Sequence, residues 1–130
     1  MGGAVCWLIG DHEKSIQYYE RCLQLSPQDV VAFEAYAGIS APHFFLGHYD
    51  QALHWAERAL REKPSTPLAL LMKIVALAMG GSRPDELRNV VRQSSRPGLT
   101  ITWIMQRLIL SRSTDRELLE TALRKAGFSD

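Results

Sequence analysis

The sequence predicts an all-α fold in which pairs of helices stack as repeats. Residues 47–64, GHYDQALHWAERALREKP, begin at a glycine, end at a proline, and place Ala52, Ala56 and Ala59 at helical spacing. Small residues on one face allow two helices to pack closely. A proline ends a helix because it cannot donate a backbone hydrogen bond. This segment is therefore expected to be a helix that packs against a neighbouring helix.

The same pattern occurs earlier in the chain, in residues 10–27, GDHEKSIQYYERCLQLSP. Five pairs of residues lie 37 positions apart, each at a turn, packing or stop position: Gly10 and Gly47, Ser15 and Ala52, Tyr19 and Ala56, Cys22 and Ala59, Pro27 and Pro64. A third copy follows after another 33 to 35 residues, with Gly81, Leu87, Ser94 and Pro97 at the matching positions. Recurrence at such a spacing is typical of helical-repeat proteins.

This repeat resembles the tetratricopeptide repeat family, whose period is about 34 residues with one helix–turn–helix unit per repeat. The resemblance covers residues 3–97. It implies a right-handed α-α superhelix of about two and a half repeats. The repeats would be a truncated one over residues 1–27, and two more over 28–64 and 65–97. It also implies a non-catalytic protein–protein interaction or scaffold module.

Helices are expected over residues 12–25, 29–46, 50–62, 67–79 and 85–95, after the end of an opening helix at residues 3–9. Pro42 is expected to bend or break the second of these helices near Ala41. Thr66 followed by Pro67 is typical of a helix start. The helix that follows is apolar almost all round, so it is expected to be buried between layers.

Residues 98–130 predict a C-terminal helical cap on the repeats, made of a short apolar helix over residues 101–110 and a second helix over 115–126. Thr114 and Glu117 have the spacing of a capping box at the start of the second helix. Glu120 and Arg124 are expected to pair on its surface, and Gly127 to end it. Its inward face is predicted to hold Leu118, Leu119, Ala122, Leu123 and Ala126.

A second resemblance concerns the run RPGLTITWIMQRLIL, followed by DRELLETALRKAGFSD. These residues are similar to the C-terminal end of certain bacterial regulators in which tetratricopeptide repeats follow a class III nucleotide cyclase domain or a winged-helix DNA-binding domain. The resemblance implies that the chain is the C-terminal part of a bacterial signalling or regulatory protein. The catalytic domain of a cyclase and its metal-binding carboxylates are not in this sequence.

Composition argues against several classes of function. Lysine and arginine number 15 against 14 acidic residues, so nothing in the charge favours nucleic acid or an acidic membrane as partner. Two cysteines do not make a secreted disulfide framework. The longest apolar run, residues 68–79, contains Lys73 and is too short to span a bilayer. A cytoplasmic location is therefore expected.

No catalytic or cofactor motif is recognisable: the sequence has no phosphate-binding loop, no CxxC pair and no nucleophile elbow. His43 and His48 could be considered as metal ligands, but they lack helical ligand spacing and an acidic third ligand. The prediction is therefore no enzyme, no cofactor and no metal.

The predicted functional surface is a concave groove for a protein or peptide partner. Some tetratricopeptide modules hold carboxylates with Lys, Asn and Arg on their inner helices, and the resemblance places Ala37, Ala41, Leu71 and Val75 at those positions, so that clamp is missing. The groove is expected instead to be apolar and aromatic, which suits an apolar helix or the chain's own segments. Phe44 and Phe45 are candidate anchors in it, although core packing is the alternative for both.

Two other functions fit the same residues. The truncated first repeat would leave Ile16, Tyr19 and Leu23 for a second copy to cover, which would make the chain a homodimerisation module. The groove could alternatively sense a small molecule, as the regulatory domain of a cyclase-like protein.

Overall fold

The computed structural model describes residues 12–25, 32–64, 66–81, 83–94, 99–108, 110 and 112–128. Within these residues all regular structure is helical, which confirms the all-α helical-repeat fold. The seven helices described are α1 (His12–Leu25), α2 (Ala32–Phe45), α3 (Tyr49–Glu62), α4 (Pro67–Gly80), α5 (Pro84–Ser94), α6 (Ile101–Arg107) and α7 (Ser113–Ala126). The opening helix predicted at residues 3–9 lies outside the described residues.

Helices α1 to α5 pack in chain order, each described helix against the next, and α2 also contacts α4. This is the arrangement expected of stacked helical hairpins, in which alternate helices contact each other along one face of the stack. Ala52, Ala56 and Ala59, the small residues predicted to pack on a neighbouring helix, are completely buried on α3. Gly47 makes the turn before α3 with a φ of 85°, a left-handed conformation that glycine adopts without strain.

Helix α4 is the central element of the fold, as its apolar sequence predicted. It contacts α2, α3, α5 and α7. Thr66 is its N-cap residue and Pro67 opens it, which confirms the predicted start; the Thr66 hydroxyl donates to the Lys63 carbonyl at 2.8 Å instead of capping the helix. Its buried residues are Ala69, Met72, Ile74, Val75, Ala76, Leu77 and Ala78.

Pro42 was predicted to bend or break the second helix, and the helix is not broken there. Helix α2 continues through Pro42 and ends three residues later, at Phe45. The residue one turn before Pro42 is Gly38, which has no side chain and packs directly beneath the ring of Tyr19. The Pro42 carbonyl still accepts a hydrogen bond from Leu46, so the helix loses only the single bond that proline cannot donate.

Helix α7 begins two residues before the predicted start, and the expected capping box is absent. Its N-cap residue is Arg112, without a side-chain capping hydrogen bond, and Thr114 and Glu117 lie inside the helix. The other predictions for this helix are confirmed: Arg124 donates to Glu120 at 2.7 Å, and Gly127 ends the helix with a φ of 100°.

Candidate partner-binding groove

The predicted groove residues lie on α2 and α4, and the structure buries most of them. Ala37 is 2% exposed, Phe45 is 9% exposed, and Ala41, Phe44 and Val75 are fully buried. Leu71 is half-buried. Ala41, Phe44, Phe45 and Val75 belong to the main apolar cluster, whereas Ala37 belongs to a smaller cluster with Tyr36, Ala59 and Ala69. Their role in binding a partner stays a prediction.

The face formed by α2 and α4 is covered by α7 of the same chain. Helix α7 packs along α4 and also contacts α2, α5 and α6. The inward residues Leu119, Ala122 and Leu123 are fully buried, in the same cluster as Phe44 and Val75. The sequence predicted this inward face correctly. It did not predict that α7 contacts both α2 and α4.

Two buried polar side chains join α7 to α1 across nearly the whole chain. Nε2 of His12 donates to Oδ2 of Asp115 at 3.0 Å, with the two residues only 3% and 4% exposed. The imidazole stacks on Phe45, with ring centroids 5.2 Å apart and planes 15° apart. The Nδ1 atom of His12 has no hydrogen-bond partner among the described residues.

The sequence patterns did not predict this pair. The contact joins residues 103 positions apart, so no local pattern marks it. The one available signal was that Asp115 and Leu119, Ala122 and Leu123 share a helical face, which places a carboxylate on an otherwise apolar stripe.

The aromatic side chains Tyr36, Phe44 and Phe45 of α2 belong to the core. Phe44 meets Phe45 edge to face at 5.3 Å between centroids and lies 5.7 Å from the ring of Tyr49. At the other end of α2, the Arg58 guanidinium lies 4.6 Å above the ring of Tyr36, which itself stacks on Trp55 at 5.8 Å. These contacts hold α2 against α3.

His43 and His48 come together in the turn between α2 and α3. Their Nδ1 atoms are 3.2 Å apart, so one ring donates an N–H to the other. Burial lowers the pKa of His43, and the charge of a protonated His48 lowers it further. Within the described part of the chain, no three His, Cys, Asp or Glu side chains lie close enough together to hold a metal ion.

An apolar cleft of about 540 Å³ lies between the N-terminal half of α4, the end of α5, and α6. Its walls include Leu71, Ser94, Trp103 and Phe128. The Ser94 hydroxyl is buried without a hydrogen-bond partner among the described residues. Because Phe128 follows α7, the cleft adjoins the end of α7 that is distant from Asp115.

Comparisons with known proteins agree with the repeat pattern at one place. A family model described as tetratricopeptide repeat matches residues 3–29, which include α1. Neither the comparison with curated proteins nor that with solved structures found a match. None of the described helices is long and apolar enough to cross a membrane.

Proposed function

We propose that the chain is a protein–protein interaction module that binds a helical or apolar segment of its partner on the face formed by α2 and α4. The observation that supports this proposal is the position of α7, which packs along α4 and reaches α2. A face that accommodates one amphipathic helix has the width and apolar character to accommodate another. The tetratricopeptide match at residues 3–29 supports the same function, because such repeats commonly form partner-binding surfaces.

The proposed setting is the C-terminal part of a bacterial signalling or regulatory protein in the cytoplasm. Its support is the resemblance of residues 96–110 and 115–130 to the ends of such regulators. In that setting the chain would act as a scaffold and would itself catalyse no reaction.

A photo-crosslinking experiment tests the interaction. A photoreactive phenylalanine analogue is placed at Leu71, a half-buried residue predicted to line the groove, and as a matched control at exposed Arg61 on α3. We expect a protein crosslinked from position 71 and not from position 61. The purified protein should then bind the chain, with Leu71→Glu weakening the Kd at least about tenfold and Arg61→Glu leaving it unchanged. Equal crosslinking from both positions, or none, would contradict the proposed function.

The apolar cleft supports a second candidate, the sensing of a small apolar molecule. A volume of about 540 Å³ is in the usual range for ligand sites. The test is ligand-dependent thermal stabilisation with the apolar dye 1-anilinonaphthalene-8-sulfonate as probe. Stabilisation that Leu71→Trp abolishes by filling the cleft would support this function, and stabilisation of both chains alike would argue against it.

A further inference from the structure

Helix α7 presents a pattern of four residues to the rest of the chain. Asp115, Leu119, Ala122 and Leu123 are its buried residues, and their spacing of four, seven and eight places them on one helical face. The opposite face is exposed and charged, with Glu117 and Arg124. The helix is therefore amphipathic, and its apolar face carries one carboxylate at the start.

The receiving surface has a polar group at one end and belongs to the same apolar cluster as the apolar residues of α7. His12 lies at one end, stacked on Phe45, and donates to the carboxylate at 3.0 Å. Fully buried Phe44 and Val75 belong to the apolar cluster that holds Leu119, Ala122 and Leu123. A buried imidazole left without its carboxylate is unfavourable. The surface therefore favours helices that place a carboxylate in register with two leucines.

Helix α7 lies outside the series of contacts that joins α1 to α5. It buries three apolar residues, fewer than the seven of the central helix α4 and more than the one of α5. Its N-cap residue Arg112 makes no side-chain capping hydrogen bond, and Leu108 and Arg112, at the two ends of the connection to α6, are extended. Helices α1 to α5 contact one another in series without α7 between them. Departure of α7 would therefore break its own contacts, including the His12–Asp115 hydrogen bond, and leave the contacts among α1 to α5 in place.

We propose that α7 is an internal ligand of the groove, and that the partner is an amphipathic helix that replaces it by repeating its pattern: a carboxylate, then apolar residues four, seven and eight positions later. This inference rests on the proposed function and specifies the partner's chemistry. Binding is then a competition between the partner's helix and α7, and the tethered α7 has the advantage of a high effective concentration.

The test uses a fluorescein-labelled peptide of residues 112–128 as the probe and the full chain as the receptor. Leu119→Gln with Leu123→Gln in the full chain removes the internal competitor. We expect the peptide to bind this release variant at least about tenfold more tightly than the unmodified chain, as measured by fluorescence anisotropy. Glu117→Gln with Lys125→Gln, on the exposed face of α7, is the matched control and should bind like the unmodified chain.

Peptide variants test the pattern itself. Asp115→Asn in the peptide should weaken its binding to the release variant, and Leu119→Gln with Leu123→Gln should abolish it. A release variant that keeps its helical circular dichroism but does not bind the peptide would overturn the proposal. A release variant that doubles its molar mass and excludes the peptide would also overturn it, by identifying a second copy as the occupant.

Hydrogen exchange on the unmodified chain gives a second measurement, which does not depend on the variant folding. The proposal requires α7 to open without global unfolding, so its amides should exchange faster than those of α2 and α4. Exchange of α7 at the slowest, global rate would overturn the proposal. The two proposals can fail separately. If a partner is crosslinked from position 71 but the peptide does not bind, the proposed interaction function is retained and the internal-ligand proposal is rejected. If the peptide binds but no partner is crosslinked, only the internal-ligand proposal is retained.

Discussion

At the scale of single residues, the contact between Gly38 and Tyr19 sets how closely α1 approaches α2. A Cβ atom built at Gly38 would lie 2.4 Å from Cζ of Tyr19 and 2.6 Å from Cε2, closer than any van der Waals contact allows. The aromatic ring therefore occupies the space that every other residue type would need. Glycine at this position is required by the close approach and not by a turn.

We expect Gly38→Ala to lower the free energy of unfolding by about 1–3 kcal/mol, because the ring of Tyr19 must move. Gly80→Ala is the matched control: its Cβ would meet nothing within 4 Å, so the higher helix propensity of alanine should leave the chain as stable or slightly more stable. Urea unfolding measures both. In a Tyr19→Ala background the cost of Gly38→Ala should disappear; an undiminished cost there would show that the ring is not its cause.

His43 makes the stability of the fold depend on pH. Burial, and then the charge of His48, lower its pKa in the folded chain below the ordinary value of 6.5. The unfolded chain therefore binds more protons as the pH falls through 6.5, so stability is fully present above that pH and decreases below it. We expect His43→Gln to flatten the decrease between pH 7.5 and 5.5 in thermal unfolding. His48→Gln removes only the second cause and should flatten it less; an unchanged slope in His43→Gln would contradict the assignment.

At the scale of helices, α4 contains two neighbouring residues that are held by different forces. Met72 is fully buried in the core, whereas Lys73 lies between Glu57 of α3 and Glu86 of α5, at 3.7 and 3.6 Å. Lys73 is the residue that interrupts the apolar run in the sequence. Its side chain is 20% exposed, and each glutamate is 35% exposed, so solvent weakens both ion pairs.

Apolar burial should therefore contribute more than the two ion pairs to holding α4. We expect Met72→Ala to cost about 2–5 kcal/mol of unfolding free energy, because it leaves a cavity. Lys73→Met keeps a side chain of similar volume and should lower the unfolding free energy by less than about 1 kcal/mol. In 1 M salt this cost should be smaller still, because salt screens the ion pairs of the unmodified chain. Unfolding in urea, an uncharged denaturant, at low and at high salt distinguishes the loss of apolar burial from the loss of the ion pairs. A larger cost for Lys73→Met than for Met72→Ala would reverse this interpretation.

The sequence alone predicts the features that depend on residues close together in the chain. The bounds of α1, the Thr66–Pro67 start of α4 and the inward face of α7 follow from helical periodicity and from proline and glycine signals. Two predictions from local signals were not met, the helix break at Pro42 and the capping box on α7. Helix α2 continues through Pro42, and α7 begins at Ser113 with Asp115 in its first turn, hydrogen-bonded to His12 at a distance of 103 positions in the chain. Spacing alone also gave no indication that the groove face would be covered.

At the scale of the whole molecule, the His12–Asp115 contact connects the described ends of the fold. The helices between them pack in series, an arrangement in which distant repeats can unfold separately. A buried hydrogen bond between α1 and α7 opposes such separation, because loosening either helix leaves a polar group of the other without its partner. Few large apolar side chains in the described part remain exposed, chiefly Tyr18 and Leu46, in keeping with the closed arrangement.

A double-mutant cycle should therefore show α1 and α7 to be energetically coupled. We expect His12→Ala and Asp115→Ala each to cost about 2–4 kcal/mol, since each leaves the other group buried and unpaired. The double variant should cost less than their sum by about 1–3 kcal/mol. The exposed pair Glu120 and Arg124 is the control, and its coupling should be below about 0.5 kcal/mol. Additive effects of His12→Ala and Asp115→Ala in urea unfolding would mean that the two helices are stabilised independently, and that a partner could displace α7 without disturbing α1.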